Sequence, residues 1–374
     1  MKISAGFDSG NIVCVSSENA KDIRLEIRRD NQSHFYQWFH FRLAGGLDQA
    51  CTMRIVNAGS AAYPPGYQNY QAVASYDREN WFRVPTSFDG TVLTIQHTPE
   101  QDAVYYAYFA PYTSERHRDL IAQAQCSPLA QLVCLGETLD GQDLDLLVIG
   151  EPGEGKKACW FIARQHPGET MAEWWMEGFL ERLLDFNDPV SRTLLSKAVF
   201  YVVPNMNPDG SRRGHLRTNA AGANLNREWR NPCMARSPEV FLVRQKMHEV
   251  GVDFCLDVHG DEELPYNFIA GAEGVPSWNA ARQAQHDAYL AALVQASPDF
   301  QTKHGYPLDA PNSSDLAKAT DYIGETFTCL SMTLEMPFKD TVETPNPDEG
   351  WSPDRCKKLG AANLDALYRV FDQL

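Results

Sequence analysis

Apolar and polar residues follow a short-range pattern over the first 120 residues. Five short segments there are rich in aromatic and β-branched residues, and clusters of Gly, Asn, Pro and Asp separate them: FYQWFHFRL, CTMRIVNA, WFRVP, GTVLTIQH and AVYYAYFAPY. This composition and these breaks are typical of strands joined by turns. No helical period interrupts them. The pattern therefore predicts an antiparallel β-sandwich or barrel over residues 1–120.

After residue 130 the pattern changes to apolar runs that alternate with helical stretches: LDLLVIG, ACWFIARQ, AVFYVVP, DFCLDVH and LSMTLEMP. The clearest helix follows Glu169, where apolar residues and one glycine recur at spacings of three and four: Met171, Trp174, Trp175, Gly178, Phe179 and Leu183. Alternating strands and helices predict an α/β domain with a mostly parallel or mixed sheet. A short linker helix, TSERHRDLIAQAQ, is expected between this domain, residues 121–374, and the β domain, residues 1–120.

Length and composition agree with two folded domains. The 374 residues are too many for most single cores, and 43% hydrophobic with 22% charged residues is ordinary for globular proteins. The amino-terminal residues lack the sustained apolar stretch of a secretory signal, and no segment has the apolar length of a membrane helix. Nine cysteines occur singly, without a CxxC pair, which indicates reduced thiols in the cytoplasm that serve as small buried side chains.

The formal charge of −16 makes nucleic acid and anionic membranes unlikely partners. The charge is uneven, however. Between Ser211 and Arg236 the chain holds six arginines (212, 213, 217, 227, 230 and 236) and a single acidic residue, Glu228. Such a stretch either binds a small anion or is a solvated basic loop.

Three candidate metal ligands follow predicted strands. The motif His166-Pro-Gly-Glu169 comes directly after ACWFIARQ, and His259 ends DFCLDVH. Sites in α/β sheets lie at the carboxyl ends of strands, so these side chains can converge. A catalytic zinc ion takes three protein ligands and leaves a position for water. An HxxE motif alone is weak evidence, but with His259 at a strand end the set predicts a catalytic zinc site.

Two acidic residues lie close to this predicted site. Asp257 precedes His259 by two residues, and it either orients His259 or is an acid satisfied at the sheet edge. Glu335 closes the strand LSMTLE, where it serves either as the general base or as the partner of a structural salt bridge.

In this order, HPGE, RTNAAGANLNREW, DVHG and TLE resemble the zinc carboxypeptidases of the carboxypeptidase A type. The similarity is closest to a bacterial-like member of the cytosolic carboxypeptidase branch, through FDSGN, WFHFR and YFAPYT, and it covers nearly the whole chain. The resemblance implies a mixed, eight-stranded-type sheet flanked by helices and preceded by an all-β sandwich.

The resemblance also implies roles for individual residues. One Zn²⁺ per chain would bind to His166, Glu169 and His259, and Glu335 would be the general base. Arg217 would polarise the scissile carbonyl and stabilise the oxyanion, and Asn226 and Arg227 would hold the terminal carboxylate of the substrate.

Three positions depart from the family pattern. Asn224 stands where many relatives have an aspartate behind a zinc-ligand histidine, although its carbonyl can still accept the hydrogen bond. The position of the substrate-capping tyrosine falls near Ser313, so Tyr306 or Tyr322 would have to replace it unless both only pack. Lys318 hints at an acidic terminal residue such as glutamate, or is a solvated surface lysine.

The expected function is hydrolysis of C-terminal amide bonds of peptides or proteins, with no nucleic-acid or membrane partner. An N-acyl amino acid amidohydrolase of the desuccinylase or aspartoacylase type shares the HxxE and Asn-Arg elements and remains an alternative. A catalytically silent binding protein is a third possibility.

Overall fold

The computed structural model describes residues 1–374 and contains 17 strands, eight α-helices and four short 3₁₀-helices. The amino-terminal strands are β1 (Lys2–Ser4), β2 (Val13–Ser16), β3 (Ile23–Glu26), β4 (His40–Ala44), β5 (Cys51–Ile55), β6 (Val73–Ser75), β7 (Phe82–Arg83), β8 (Thr86–Phe88), β9 (Leu93–His97) and β10 (Ala103–Ala107). The later strands are β11 (Ala130–Glu137), β12 (Asp143–Ile149), β13 (Lys157–Ala163), β14 (Ala198–Val203), β15 (Phe254–Asp261), β16 (Phe268–Ala270) and β17 (Leu330–Pro337).

The α-helices are α1 (Ser114–Gln125), α2 (Met171–Leu183), α3 (Pro189–Lys197), α4 (Pro208–Arg213), α5 (Pro238–Val250), α6 (Ala280–Ala296), α7 (Ala319–Phe327) and α8 (Pro353–Val370). The 3₁₀-helices are Ala58–Ser60, Pro64–Tyr67, Leu225–Arg227 and Phe371–Gln373. The linker helix predicted from TSERHRDLIAQAQ is α1, and Thr113 caps it by accepting the N–H of Arg116. None of the helices is long and apolar enough to cross a membrane.

The amino-terminal β-rich domain contains two five-stranded sheets, in the orders β1-β4-β10-β6-β7 and β2-β3-β5-β9-β8. Buried and exposed residues alternate along β3, where Ile23 and Leu25 are buried between exposed neighbours. This alternation buries one face of the sheet, although β3 itself lies outside the segments predicted as strands. Each of the five predicted segments contains a strand, but the strands are shorter than the apolar segments.

One pair of strands, β3 and β5, is parallel and so departs from the predicted antiparallel arrangement. Between them the chain crosses to the other sheet to form β4 and then returns. Alternating apolar residues do not specify this pairing, because they mark a buried face but not the neighbouring strand.

The third sheet has seven strands in the order β11-β12-β14-β13-β15-β17-β16. The pairs among β14, β13, β15 and β17 are parallel and those toward both edges are antiparallel. The mixed sheet is therefore confirmed, with seven strands where the resemblance implied about eight. Beside β16 there is only an isolated bridge between Asn267 and Phe300. Side chains replace backbone pairing there, since the Gln301 amide donates to Asn267 O and the Asn267 amide donates to Asp299 O.

Both faces of this sheet are buried. On β13, Cys159, Phe161 and Ala163 join a cluster of 68 buried residues that also includes the amino-terminal sheets and the faces of α2 and α8. Trp160 and Ile162 point the other way, into a cluster of 19 residues formed with α5 and α7. Burial on both sides explains why these strands are continuous apolar runs. The stripe predicted after Glu169 is the buried face of α2.

All nine cysteines are unpaired. Five are buried, as predicted, whereas Cys14, Cys126, Cys134 and Cys233 are exposed. The exposed four lie on edge strands, just after a helix or in a loop.

Candidate metal centre and active site

The candidate residues lie at the carboxyl ends of three adjacent parallel strands. The motif with His166 and Glu169 connects β13 to α2, and His259 lies near the end of β15. His259 and Glu335 are register partners on β15 and β17, so their side chains start from neighbouring positions on one sheet edge. Each residue is almost fully buried, with exposed fractions of 1 to 7%.

His166, Glu169 and His259 offer three ligand atoms that lie within 4.8 Å of one another. The Nδ1 atom of His166 lies 2.6 Å from Oε1 of Glu169, and the Nδ1 atom of His259 lies 2.8 Å from Oε2. The ring centroids of the two histidines are 4.9 Å apart. Two imidazole nitrogens and a carboxylate are a donor set that zinc prefers.

The Nε2 atoms of His166 and His259, which point away from Glu169, each lie close to a hydrogen-bond acceptor. The Nε2 atom of His166 lies 3.1 Å from Oδ1 of Asn224, which also accepts the backbone N–H of Asn226. Since this oxygen can only accept, Nε2 of His166 carries the hydrogen, and the lone pair of Nδ1 points at the Glu169 carboxylate. Burial and Arg217 lower the pKa of His166 to about 4, which keeps the ring neutral. A bound cation would stabilise a nitrogen lone pair and a carboxylate that face each other, so the residues fit a metal ion.

Asp257 is the acceptor behind His259, with Oδ2 2.8 Å from Nε2. Burial alone lowers the pKa of His259, but the carboxylates of Asp257 and Glu169 outweigh it and raise this pKa well above its ordinary value. Asp257 is held in turn by the Gln165 amide at 2.6 Å, and Gln165 accepts the indole N–H of Trp229. Of the two interpretations left open for Asp257, the geometry favours orientation of His259.

A buried arginine, Arg164, stabilises the loop that carries His166 and Glu169. Arg164 is 1% exposed and has a positive φ of 58°. Its guanidinium donates to Pro167 O at 3.0 Å and to the Glu173 carboxylate at 2.6 Å. A Cβ on Gly168 would lie 3.0 Å from Leu216 O, so the loop packs closely against the segment before Arg217.

Glu335 is a buried carboxyl group near the end of β17. Burial raises its pKa well above the ordinary value; nearby His259 opposes this effect, and Glu169 raises the pKa further. Its Oε1 accepts from the hydroxyl of Tyr306 at 3.2 Å, while its buried Oε2 has no partner. No cation lies in ion-pair range, so the salt-bridge interpretation of Glu335 was wrong.

Arg217 and Arg227 form a positive region beside these residues. Burial and the charge of Arg217 lower the pKa of Arg227, which places the two guanidinium groups within electrostatic range of each other. Asn226 accepts the backbone N–H of Ala319 through its Oδ1 at 2.8 Å, which leaves its amide N–H groups free to donate. Neither arginine is paired with a carboxylate. Together with the amide N–H groups of Asn226, the two guanidinium groups can bind an anion.

The other arginines of the basic stretch lie apart from this region. Arg213 pairs with Asp140 and Arg236 with Glu228. Arg212 and Arg213 line a separate cavity of about 480 Å³. The sequence left this stretch open as an anion site or a solvated basic loop, and in the structure its arginines do not form one patch.

Of the tyrosines considered for the capping role, Tyr306 lies at the site and Tyr322 does not. Tyr306 is 46% exposed and donates to Asp261 at 2.7 Å as well as to Glu335. Tyr322 instead contacts His248 at 3.0 Å on α5. Ser313 is exposed and bonds to Ala310 O. Lys318 lies 4.0 Å from Asp309 on the surface.

Glu262, which the sequence analysis did not single out, also borders the site. It is 6% exposed, and burial together with the charge of Glu169 raises its pKa well above the ordinary value, whereas Arg217 opposes this shift. The sequence contains a signal for it, because three acidic residues follow the DVHG motif directly. Of these three residues only Glu262 is buried, and the sequence alone does not show which one it is.

Two family models match the chain in succession. The model described as cytosolic carboxypeptidase N-terminal domain matches residues 3–109, and the model described as zinc carboxypeptidase matches residues 120–353. Cytosolic carboxypeptidase 2 of Xenopus tropicalis is 29% identical over 308 residues, which cover 72% of this chain and 32% of that protein. The chain thus corresponds to about a third of that longer relative.

Two solved structures are similar over the full length. The metallo-carboxypeptidase from Burkholderia cenocepacia is 50% identical with a TM-score of 0.98, and both chains are covered to 100%. The metallo-carboxypeptidase from Pseudomonas aeruginosa, in complex with (2-guanidinoethylmercapto)succinic acid, is 45% identical with a TM-score of 0.98 and the same coverage. The chain therefore belongs to the zinc carboxypeptidase family of metallopeptidases, with an amino-terminal domain of the cytosolic carboxypeptidase type.

Proposed function

We propose that this metallo-carboxypeptidase hydrolyses the C-terminal amide bond of peptides or proteins and that His166, Glu169 and His259 hold one zinc ion per chain. The observation that carries this proposal is the convergence of two Nδ1 atoms and one carboxylate within 4.8 Å. The acceptors Asn224 and Asp257 support it, because they engage the Nε2 atoms of the two rings and leave both Nδ1 atoms facing Glu169.

A bound zinc ion lowers the pKa of water and polarises a carbonyl group. Glu335 would take the proton of the attacking water at its carboxylate and deliver it to the leaving amine. Its buried Oε2 has no hydrogen-bond partner, so this oxygen is free to take the proton. Arg217 would bind the carbonyl oxygen as negative charge develops on it.

Asn226 and Arg227 would hold the terminal carboxylate of the substrate. Arg227 can form two parallel hydrogen bonds to a carboxylate, and the free amide N–H groups of Asn226 add a further donor. The Pseudomonas aeruginosa relative was solved with a ligand whose name includes succinic acid, which is consistent with a site for carboxyl groups. This arrangement limits cleavage to the end of a chain.

Release of an acidic terminal residue such as glutamate stays a prediction. The prediction depended on Lys318. The Nζ atom of Lys318 lies 4.0 Å from the carboxylate of Asp309, which partly neutralises its charge. The ligand of the Pseudomonas aeruginosa relative also contains a guanidino group by name. Peptides that differ only in a C-terminal glutamate, lysine or leucine would decide the preference, and a lysine substrate cleaved faster than the glutamate substrate would contradict it.

The proposed function can be tested with purified protein. We expect close to one zinc ion per chain by metal analysis, release of the last residue from blocked peptides, and loss of this release on chelation with recovery when zinc returns. N-acyl amino acids should be included as substrates. Cleavage of these compounds without any peptide cleavage would favour the amidohydrolase alternative, and absence of zinc and of both activities would favour a silent binding protein.

We also propose that residues 1–120 and 121–374 are the two domains and that the protein works in the cytoplasm. Nine unpaired thiols support the location, because an oxidising compartment would favour disulfides. Fractionation of cells that produce the protein would test it.

A further inference from the structure

The loop that carries Arg217 is held by a carboxylate from the amino-terminal β-rich domain. Asp30 follows β3 and is only 3% exposed. Its Oδ1 accepts the backbone N–H of Leu216 at 2.7 Å, and its Oδ2 accepts those of Arg217 at 2.8 Å and Thr218 at 2.9 Å. The hydroxyl of Thr218 donates to the same Oδ2 at 3.1 Å. Four donors from three consecutive residues thus converge on one carboxylate.

Successive backbone N–H groups that point at one centre form a binding site for negative charge. A carboxylate satisfies such a site with charge-assisted hydrogen bonds, which are stronger and more directional than neutral ones. An asparagine at position 30 would keep one acceptor oxygen but would turn an N–H₂ group toward the remaining donors. The charge of Asp30 therefore fixes the backbone from which the Arg217 side chain extends.

The same domain also contacts the guanidinium group. The central carbon of this group lies 5.5 Å from the ring centroid of Phe35 and 5.6 Å from that of Tyr63. Aromatic faces attract a cation at this distance and shield it from water. Arg217 has no carboxylate partner for its side chain, so these rings and the backbone anchor restrict where its charge can point.

Further bonds between the β-rich domain and the loop lie on both sides of this anchor. The Asn11 amide donates to Gly214 O at 2.7 Å. Asn31 donates through its backbone N–H to Nε2 of His215 at 3.1 Å and through its amide to Ala220 O at 2.7 Å. The segment is therefore held along its length, and among these residues of the β-rich domain only Asp30 accepts the backbone N–H of Arg217.

We propose that Asp30 is a positioning residue for Arg217, through which the amino-terminal domain completes the active site. Asp30 does not touch the reacting atoms and acts only through Arg217. The inference rests on the role of Arg217 in the proposed function.

A double-mutant cycle in the full-length, zinc-loaded protein tests it, with Asp30→Asn, Arg217→Met and the two combined. Asp30→Asn should lower kcat for release of a C-terminal residue by about 10-fold or more, with KM and zinc content little changed. In the Arg217→Met background the same substitution should change kcat by less than about 2-fold, because the group it positions is gone. A purely structural role would lower kcat by the same factor in both backgrounds.

Asn31→Ala is the matched control, since it removes a bond of the same length to the same loop without touching residues 216–218. It should keep the kcat of the unaltered protein. If Asp30→Asn does not fold, Asp30→Glu retains the charge but displaces it by one methylene, and it should still lower kcat. Unchanged kcat in the Asp30 variant that folds, or equal losses in both backgrounds, overturns the inference alone. Undiminished kcat in Arg217→Met overturns the proposed role of Arg217 as well.

Discussion

Glu169 faces two histidine rings at once, and its carboxylate also accepts the N–H of Gly260 at 3.0 Å. A side chain with these contacts is fixed from three directions, which is what a metal ligand requires, because coordination geometry tolerates little displacement. The residues around it differ in whether they would bind the metal, orient a ligand or move a proton. Substitutions can separate these roles.

We expect Glu335→Gln to keep zinc and lose turnover. Glutamine retains the shape of the side chain but cannot accept the proton from water, and general acid–base catalysis contributes about 10² to 10⁴-fold to rates. Steady-state kinetics with a peptide substrate and metal analysis of the same sample measure both effects. Glu263→Gln alters an exposed carboxyl group nearby and should leave kcat unchanged. If the kcat of Glu335→Gln were close to that of the unaltered protein, Glu335 would not be the general base.

We expect Asp257→Asn to weaken zinc binding by about 10- to 100-fold, because outer partners of a ligating histidine support its basicity. The variant removes the charge behind His259 while an acceptor oxygen remains for Nε2. Competition with a chromophoric chelator measures the affinity.

The opposite change can be made behind the other histidine. Asn224→Asp adds a charge behind His166 and should strengthen zinc binding in the same assay. Equal zinc affinities for both variants and the unaltered protein would contradict electrostatic support from these two positions.

At the scale of elements, α2 and α8 approach each other unusually closely. A Cβ on Gly178 of α2 would collide with the backbone of Lys357, and a Cβ on Gly360 of α8 would collide with the carbonyl of Trp175. Glycine is required at both positions because backbone, which cannot move aside easily, occupies the space. This packing holds α2 in place, and the first turn of α2 follows the metal loop directly.

We expect Gly178→Ala to destabilise the protein by about 1–3 kcal/mol, the usual range for overpacking of a core. A lower midpoint in thermal or urea unfolding would show it. Gly153→Ala is the control, because the nearest atom to its added Cβ is 3.9 Å away and its φ is not positive. Equal unfolding midpoints for the two variants would mean that α2 and α8 can move apart without loss of stability.

At the scale of the whole molecule, a buried ionic network connects the linker helix to the catalytic domain. His117 of α1 lies 2.6 Å from Glu173 of α2 and 3.2 Å from Asp145 of β12. Burial alone lowers the pKa of His117, but these two carboxylates outweigh it and raise the pKa to about 9. Glu173 is shared with Arg164, so the network reaches the loop that carries His166.

Stability should therefore fall on the alkaline side. A pKa raised from 6.5 to about 9 means that the folded state favours the proton. The contribution of His117, on the order of 3 kcal/mol, is complete below pH 6.5 and is lost as the pH rises through 9. Melting temperatures between pH 6.5 and 9 should fall less steeply in His117→Gln than in the unaltered protein.

Some slope should remain in His117→Gln, because burial also raises the pKa of Glu239 to about 8, which acts in the same direction. His34→Gln, at an exposed histidine, should keep the full slope. The same slope in His117→Gln and His34→Gln would contradict the role of His117.

The sequence by itself determined the local features of this protein. Periods of apolar residues predicted the strands that bear the site and the buried face of α2, because burial on one or both faces leaves a regular trace in the chain. The strands β1, β2, β3, β6, β8 and β16, of three or four residues each, were missed because such short segments carry no period, and the edge strand β11 was missed because its burial is irregular. The motifs placed His166, Glu169, His259 and Glu335 at strand ends, and the resemblance supplied their expected roles.

Only the tertiary structure decided which distant residues meet. It placed Tyr306, but not Tyr322, beside Glu335, and it separated the arginines of the basic stretch. It also brought Glu262 close to Glu169, and it bonded Asp30 to the backbone of Arg217, which follows Asp30 by 187 positions in the chain. These contacts depend on how the sheets and domains pack, and no local pattern records that. The predicted zinc site lay within reach of the sequence because its motif is short, whereas the support around it is spread over both domains.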